Sequence, residues 1–117
     1  MNVEEVRDYA LSLPGVTEDM PFGEDCLTFR VEQKIFMCVN LAALEPVIAL
    51  KLLPETNEEL REEFVGITPA YHWNKKYWSD VCLQGDVPDK RVRDLVAQSY
   101  RLVVSKLPRN LRQKYGL

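Results

Sequence analysis

The densest collection of chemistry-bearing side chains in this sequence is Thr68-Pro69-Ala70-Tyr71-His72-Trp73-Asn74-Lys75-Lys76-Tyr77-Trp78. Four aromatics, one imidazole, one amide and two ammonium groups fall within these eleven residues. Aromatic rings interleaved with lysines can stack on bases while the ammoniums meet phosphates, which is the physics of nucleic-acid surfaces. Tyr and Trp also bridge a core edge and solvent, so the same rings can serve packing alone. Which ring is exposed decides between the two. His72, the lone histidine, can act as acid, base or hydrogen-bond donor to a phosphate. It needs a partner that orients it, and Asp25 or Glu24, beside the turn Pro21-Phe22-Gly23, are the candidates. Asn74 and Lys75 could receive an anionic group.

Two principal readings follow from these residues. In the leading one, a non-enzymatic module engages DNA through its C-terminal half. Lys75 and Lys76, with Arg91, Arg93, Arg101, Arg109, Arg112 or Lys114, meet phosphates, while Tyr71, Trp73 or Tyr77 stack or wedge. The alternative is a small anionic-ligand pocket, or an enzyme, centred on His72 and Asp25, with Phe22 on the facing loop. A protein-interaction adaptor or homodimer using exposed sheet or an acidic helix is a third option. Charge distribution favours the first. The formal net charge of −3 divides into residues 1–66, with 5 Lys+Arg against 14 Asp+Glu, and residues 67–117, with 10 against 4. The second part is therefore +6, although an overall acidic chain restricts any nucleic-acid contact to a local, weak and salt-sensitive one.

Other chemistries find no support. There is no Gly-x-Ser-x-Gly, Walker loop or Gly-rich dinucleotide turn, and no cysteine near the histidine, so no catalytic residue is assigned and no cofactor is expected. Cys26, Cys38 and Cys82 are odd in number and form no CxxC, so they read as small reduced hydrophobes in strands rather than a disulfide framework. One histidine and scattered cysteines assemble no zinc cluster, and no metal is expected. The longest apolar runs are far short of the roughly 18 residues that cross a bilayer. The acidic start Met1-Asn2-Val3-Glu4-Glu5 lacks the order of a secretory signal, so a cytoplasmic protein is expected.

The elements that must position these residues can be read from caps and periodicity. Length and composition suit one domain, residues 1–117. Asn2 with Glu5 three residues on caps a helix over about 3–12, ended by Pro14-Gly15. The segment Thr17 to Asp25 reads as a loop. Leu27, Phe29 and Val31 alternate with Cys26, Thr28 and Arg30 as a half-buried strand, followed by a second over Ile35 to Leu41. Their register stays open: a two-residue turn pairs Phe29 with Phe36, a three-residue loop pairs it with Met37. A third strand, Val47 to Leu52, precedes a Glu-rich helix over about 55–64 opened by Pro54. A short strand near 67–72, a strand around Val81 and Leu83, and a helix from Pro88-Asp89 to about Leu107 complete the order α-β-β-β-α-β(-β)-α. The expected fold is α+β, an antiparallel sheet with the N- and C-terminal helices packed on one face.

The order and spacing of Leu13-Pro14-Gly15, Pro21-Phe22-Gly23-Glu24-Asp25, Thr68 to Trp78, Ser99-Tyr100 and Lys106-Leu107-Pro108 resemble the MmcQ/YjbR family of small bacterial proteins, over about residues 1–108. The resemblance implies a CyaY-like α+β fold and a DNA-binding role, an implication carried by fold comparison. It places Pro21, Phe22, Gly23 and Asp25 in one motif and Thr68, Pro69, Tyr71, His72, Asn74, Lys75 and Trp78 in the other. Tyr77 stands where relatives commonly have a second histidine, and Trp73 where they often have Met or Leu, which argues against a two-histidine scheme. The short basic tail, residues 109–117, lies beyond the resemblance.

Overall fold

A computed structural model of the chain describes residues 1–116. In chain order the elements are α1 (Val3–Ser12), β1 (Val16–Asp19), β2 (Cys26–Val31), β3 (Lys34–Asn40), β4 (Val47–Lys51) and α2 (Pro54–Glu63). Then come β5 (Ile67–Pro69), β6 (Trp78–Cys82), α3 (Asp89–Ser105), α4 (Arg109–Arg112) and a 3-10 turn over Gln113–Tyr115. The strands form one six-stranded antiparallel sheet in the order β1-β2-β3-β4-β6-β5. α1 starts where its capping box demands: the Asn2 side chain accepts from Glu5 N at 2.8 Å, and Asn2 N donates to the Glu5 carboxylate at 3.2 Å. α2 opens on Pro54, whose missing N–H costs nothing in a first turn.

The β2–β3 hairpin combines features of both candidate registers. Glu32 and Gln33 have φ of 47° and 71°, the left-handed pair of a two-residue hairpin turn, and Val31 lies opposite Lys34. A bulge then shifts the ladder between Phe29 and Arg30, so Phe29 ends opposite Met37. The extra residue lets Phe36 and Met37, neighbours in sequence, both enter the main core. Phe36 meets Tyr100 edge-on at 5.6 Å between centroids. Its carbonyl accepts from the hydroxyl of Ser99 at 2.6 Å, and that same hydroxyl accepts Lys51 N at 3.0 Å. Ser99, polar on the apolar stripe of α3, thus serves both strands and is wholly buried.

One face of the sheet carries Phe29, Val31, Val39, Ile48, Leu50 and Val81 against Val6 and Ala10 of α1 and Val92, Leu95, Val96 and Val103 of α3. Each such large side chain contributes roughly 1.5–3 kcal/mol on burial. The terminal helices therefore share one face, as expected. Among the described residues no helix covers the other face; a smaller cluster of Cys38, Ala49, Ala70 and Trp78 occupies it, with Cys26, Ile35 and Trp73 packed alongside.

Two expectations need correction. Thr17 to Asp19, expected within the loop Thr17 to Asp25, belong to the edge strand β1, stabilised by Thr28 donating to the Asp19 carbonyl at 3.0 Å and by Arg30 on the Asp19 carboxylate. Charged residues suit an edge strand, which explains the missing apolar alternation. Cys26 and Cys38 are joined in a disulfide. Thr28 lies opposite Cys38 and Asn40 opposite Cys26, so the two cysteines are diagonal neighbours with Cα atoms 6.3 Å apart, a relation that separation in sequence does not reveal. Cys82 alone is a free thiol. The tail, given no structure from sequence, folds back as α4 and the 3-10 turn. Tyr115 donates to Glu32 at 2.8 Å and fills the space beside Gly15, where φ is 73° and a Cβ would stand 2.7 Å from the Tyr115 hydroxyl.

Candidate functional site

The helix-free face holds a cavity of about 550 Å³, within the roughly 300–1,000 Å³ typical of ligand sites. Strand register builds its floor. Thr28 faces Cys38, Cys38 faces Ala49 and Ala49 faces Asp80, one row across β2, β3, β4 and β6. The two central side chains, Cys38 and Ala49, are small, and they line the cavity together with Asp80. Phe22 and Asp25 come from the β1–β2 loop, Ala42 and Ala43 from the β3–β4 loop, and His72 and Trp73 from the β5–β6 loop. Cys26, Asn40 and Val47 complete the lining.

The aromatic wall is ordered. Trp73 stacks on the buried Trp78 at 4.6 Å with 24° between planes, and Phe22 presents its edge to Trp73 at 6.1 Å. Phe22 is 63% exposed, so its ring lies on the rim. The β5–β6 loop is tied down from within. Asn74 accepts Lys76 N on its side chain at 2.9 Å and Trp78 N on its carbonyl at 2.9 Å. Lys75 Nζ donates to the Ala70 carbonyl at 2.9 Å and the Tyr71 carbonyl at 3.4 Å. From α2, Arg61 reaches the carbonyls of Lys75 at 2.6 Å and Trp78 at 3.0 Å, and Asn57 donates to the Lys76 carbonyl at 3.0 Å.

Asp80 is the functional candidate that sequence reasoning missed. One of its carboxylate oxygens accepts Tyr71 N at 3.2 Å, and the residue lines the cavity. Burial pushes its carboxyl above the ordinary range, against the opposing pull of the Tyr71 N–H, His72 and Lys75. The available signal was its period: Asp80 shares a face with Trp78 and Cys82, opposite the core residue Val81.

The structure brings Phe22, Asp25, His72 and Trp73 to one cavity, with Trp78 behind Trp73. No hydrogen bond joins Asp25 to His72 among the described residues. Asn74 and Lys75 are engaged in holding their own loop. Tyr71 is 78% exposed, and Lys76 lies over the Tyr77 ring at 5.6 Å. Arg91 and Arg101 belong to α3, which packs on the opposite side of the sheet. Arg91 is paired there with Glu63 at 3.1 Å and packs over Phe64, while Arg101 is exposed. No helix among the described residues is long and apolar enough to cross a membrane.

An antiparallel sheet with its long helices on one face and an aromatic-walled cavity on the other defines an α+β protein with an open, concave sheet face. The chain belongs to the YjbR family, whose model matches residues 11–102. It is 32% identical to the uncharacterized protein YjbR of Escherichia coli K12 over 97% of this chain and 96% of that one. It is 35% identical to the uncharacterized protein YbdF of Escherichia coli O157:H7 over 89% and 85%. Among solved structures it is similar to Deinococcus radiodurans protein DR2400, with a TM-score of 0.91 and 33% identity over 99% of this chain and 88% of that one. A Pseudomonas syringae protein gives a TM-score of 0.76 at 31% identity, over 87% and 98%.

Proposed function

We propose that the protein is a binding module that takes a small ligand with a flat, apolar part into the cavity on the helix-free face of its sheet. The observation that carries this reading is the wall of Trp73, stacked on Trp78 and edged by Phe22, above a floor of Cys38 and Ala49. A ring inserted there exchanges water for aromatic faces on one side and small apolar side chains beneath. Asp25, Asn40, His72 and Asp80 offer the few polar groups that orient a ligand. Fragment titration followed by the indole resonance of Trp73 tests the reading. Saturable shifts centred on Trp73, lost in Phe22→Ala, are expected. A panel of flat fragments that moves no cavity resonance refutes it.

Nucleic acid is a second reading, favoured by one observation: the exposed ring of Tyr71 and the Lys76 ammonium, over the Tyr77 ring, belong to the same β5–β6 loop. Such a loop suits an unpaired base stacked on Tyr71 with a phosphate on Lys76. Because α3 carries Arg91 and Arg101 on the far side of the sheet, the contact is with a single strand and rests on few charges. Fluorescence anisotropy of a short labelled single strand at two salt concentrations tests it. Lys76→Ala is expected to reduce the salt slope by about 0.7. Absence of binding at low salt ends this reading.

A further inference from the structure

We infer that the cavity ligand carries a positive charge, as a flat ring bearing a protonated nitrogen; this rests on the cavity reading above. The charged groups lining the cavity are Asp25, Asp80 and the titratable His72, with no Lys or Arg. Lys75 approaches Asp80 closely enough to affect it, but its ammonium is held by the carbonyls of Ala70 and Tyr71 and does not line the cavity. Glu24 and Glu45, on the two flanking loops, add to the negative side. The site that sequence suggested for an anion is therefore one that repels it.

Hydrogen bonding points the same way. Tyr71 N occupies Asp80 Oδ2, and Oδ1 accepts no hydrogen bond from the described residues. A half-buried carboxylate with a free oxygen beside a stacked indole fits a cationic ring on two counts. The N–H of the ligand meets Oδ1 in a charge-assisted hydrogen bond, and its positive ring lies against the Trp73 face. An anion of the same shape gains none of these and adds repulsion.

Three flat probes of equal size separate the possibilities: benzamidine (cationic), benzamide (neutral) and benzoate (anionic), titrated into the full chain while the Trp73 indole resonance is followed. Benzamidine is expected to bind at least about tenfold more tightly than benzamide, about 1.4 kcal/mol, with benzoate weakest. Asp80→Asn, an isosteric change, should bring benzamidine to within about threefold of benzamide while thermal melting confirms the fold. Equal or tighter binding of benzoate, or an unchanged benzamidine preference in Asp80→Asn, overturns the charge inference and leaves the cavity reading standing. Failure of all three probes to shift Trp73 at about 10 mM, well above a millimolar dissociation constant, overturns both.

Discussion

Asn57→Ala tests whether the site loop is held from α2. Asn57 is wholly buried, and its amide donates to the Leu52 carbonyl at 3.3 Å and the Lys76 carbonyl at 3.0 Å while accepting the Ser79 hydroxyl at 2.7 Å. Alanine removes all three bonds and supplies no water path to the groups left behind. The Ser79 hydroxyl keeps Arg61 as a donor at 3.2 Å but loses its only acceptor, and the Lys76 carbonyl loses its tie to the helix. Two hydrogen bonds of ordinary length at about 1 kcal/mol each, a weaker third, and the desolvation of a stranded hydroxyl add to about 3 kcal/mol. At about 4 °C per kcal/mol for a chain of this size, the melting temperature should fall by about 12 °C. Urea unfolding should show a lower midpoint with an unchanged slope. The loss should also reach the cavity, because Lys76 sits three residues beyond Trp73: the Trp73 indole resonance should shift in the folded variant. A destabilisation below about 1 kcal/mol, with the Trp73 resonance unmoved, refutes the argument that this network carries the loop.

Ser99→Ala leaves the Phe36 carbonyl and Lys51 N–H short of a partner inside the core and should cost about 1–3 kcal/mol in denaturant titration. Burial and the bond to Glu32 push the Tyr115 phenol up to about 12. Its contribution to stability is thus full below the ordinary phenol pKa of about 10 and lost as pH rises through the folded value, so Tyr115→Phe should flatten the alkaline decline seen in melting curves. Asp80 and Asp19 have opposite signs. Burial raises Asp80, which therefore favours folding below the ordinary carboxylate range and loses that contribution as pH rises, so Asp80→Asn should raise the urea midpoint at pH 7 and less so at pH 4. Thr28 and Arg30 lower Asp19, whose contribution is present above the ordinary range and lost as pH falls, so Asp19→Asn should lower the midpoint at pH 7.

Where local chemistry determines local structure, the sequence was legible. Asn2 and Glu5 write the start of α1, Pro54 the start of α2, and the alternation of Leu27, Phe29 and Val31 a strand. What escaped reading depends on partners remote in sequence. β1 is a strand because β2 pairs with it, not because Val16-Thr17-Glu18-Asp19 alternates. The bulge at Phe36 is set by what α3 offers, an edge for its ring and a hydroxyl for its carbonyl. Phe22 and His72 line one cavity because their loops both lead into strands of one sheet. Asp80 was passed over because a charged residue alternating in a strand reads as solvent-facing until a loop is seen to fold above it. Lys75 illustrates the converse: a cation in an aromatic-basic stretch looks like a phosphate ligand, yet its ammonium donates to the Ala70 and Tyr71 carbonyls of its own loop.

The row Thr28–Cys38–Ala49–Asp80 has a consequence for how such a molecule can change over generations. The depth of the cavity is determined at its centre by two directly opposed side chains, Cys38 and Ala49, while the main core lies on the reverse of the same strands. A single sheet therefore insulates the two. Exchanging Ala49 for a larger residue would make the hollow shallower without repacking Ile48, Val39 or anything beneath α1 and α3, whereas Cys38 is tied to Cys26 by its disulfide. What the hollow accepts can drift from one relative to the next while the scaffold that presents it stays put.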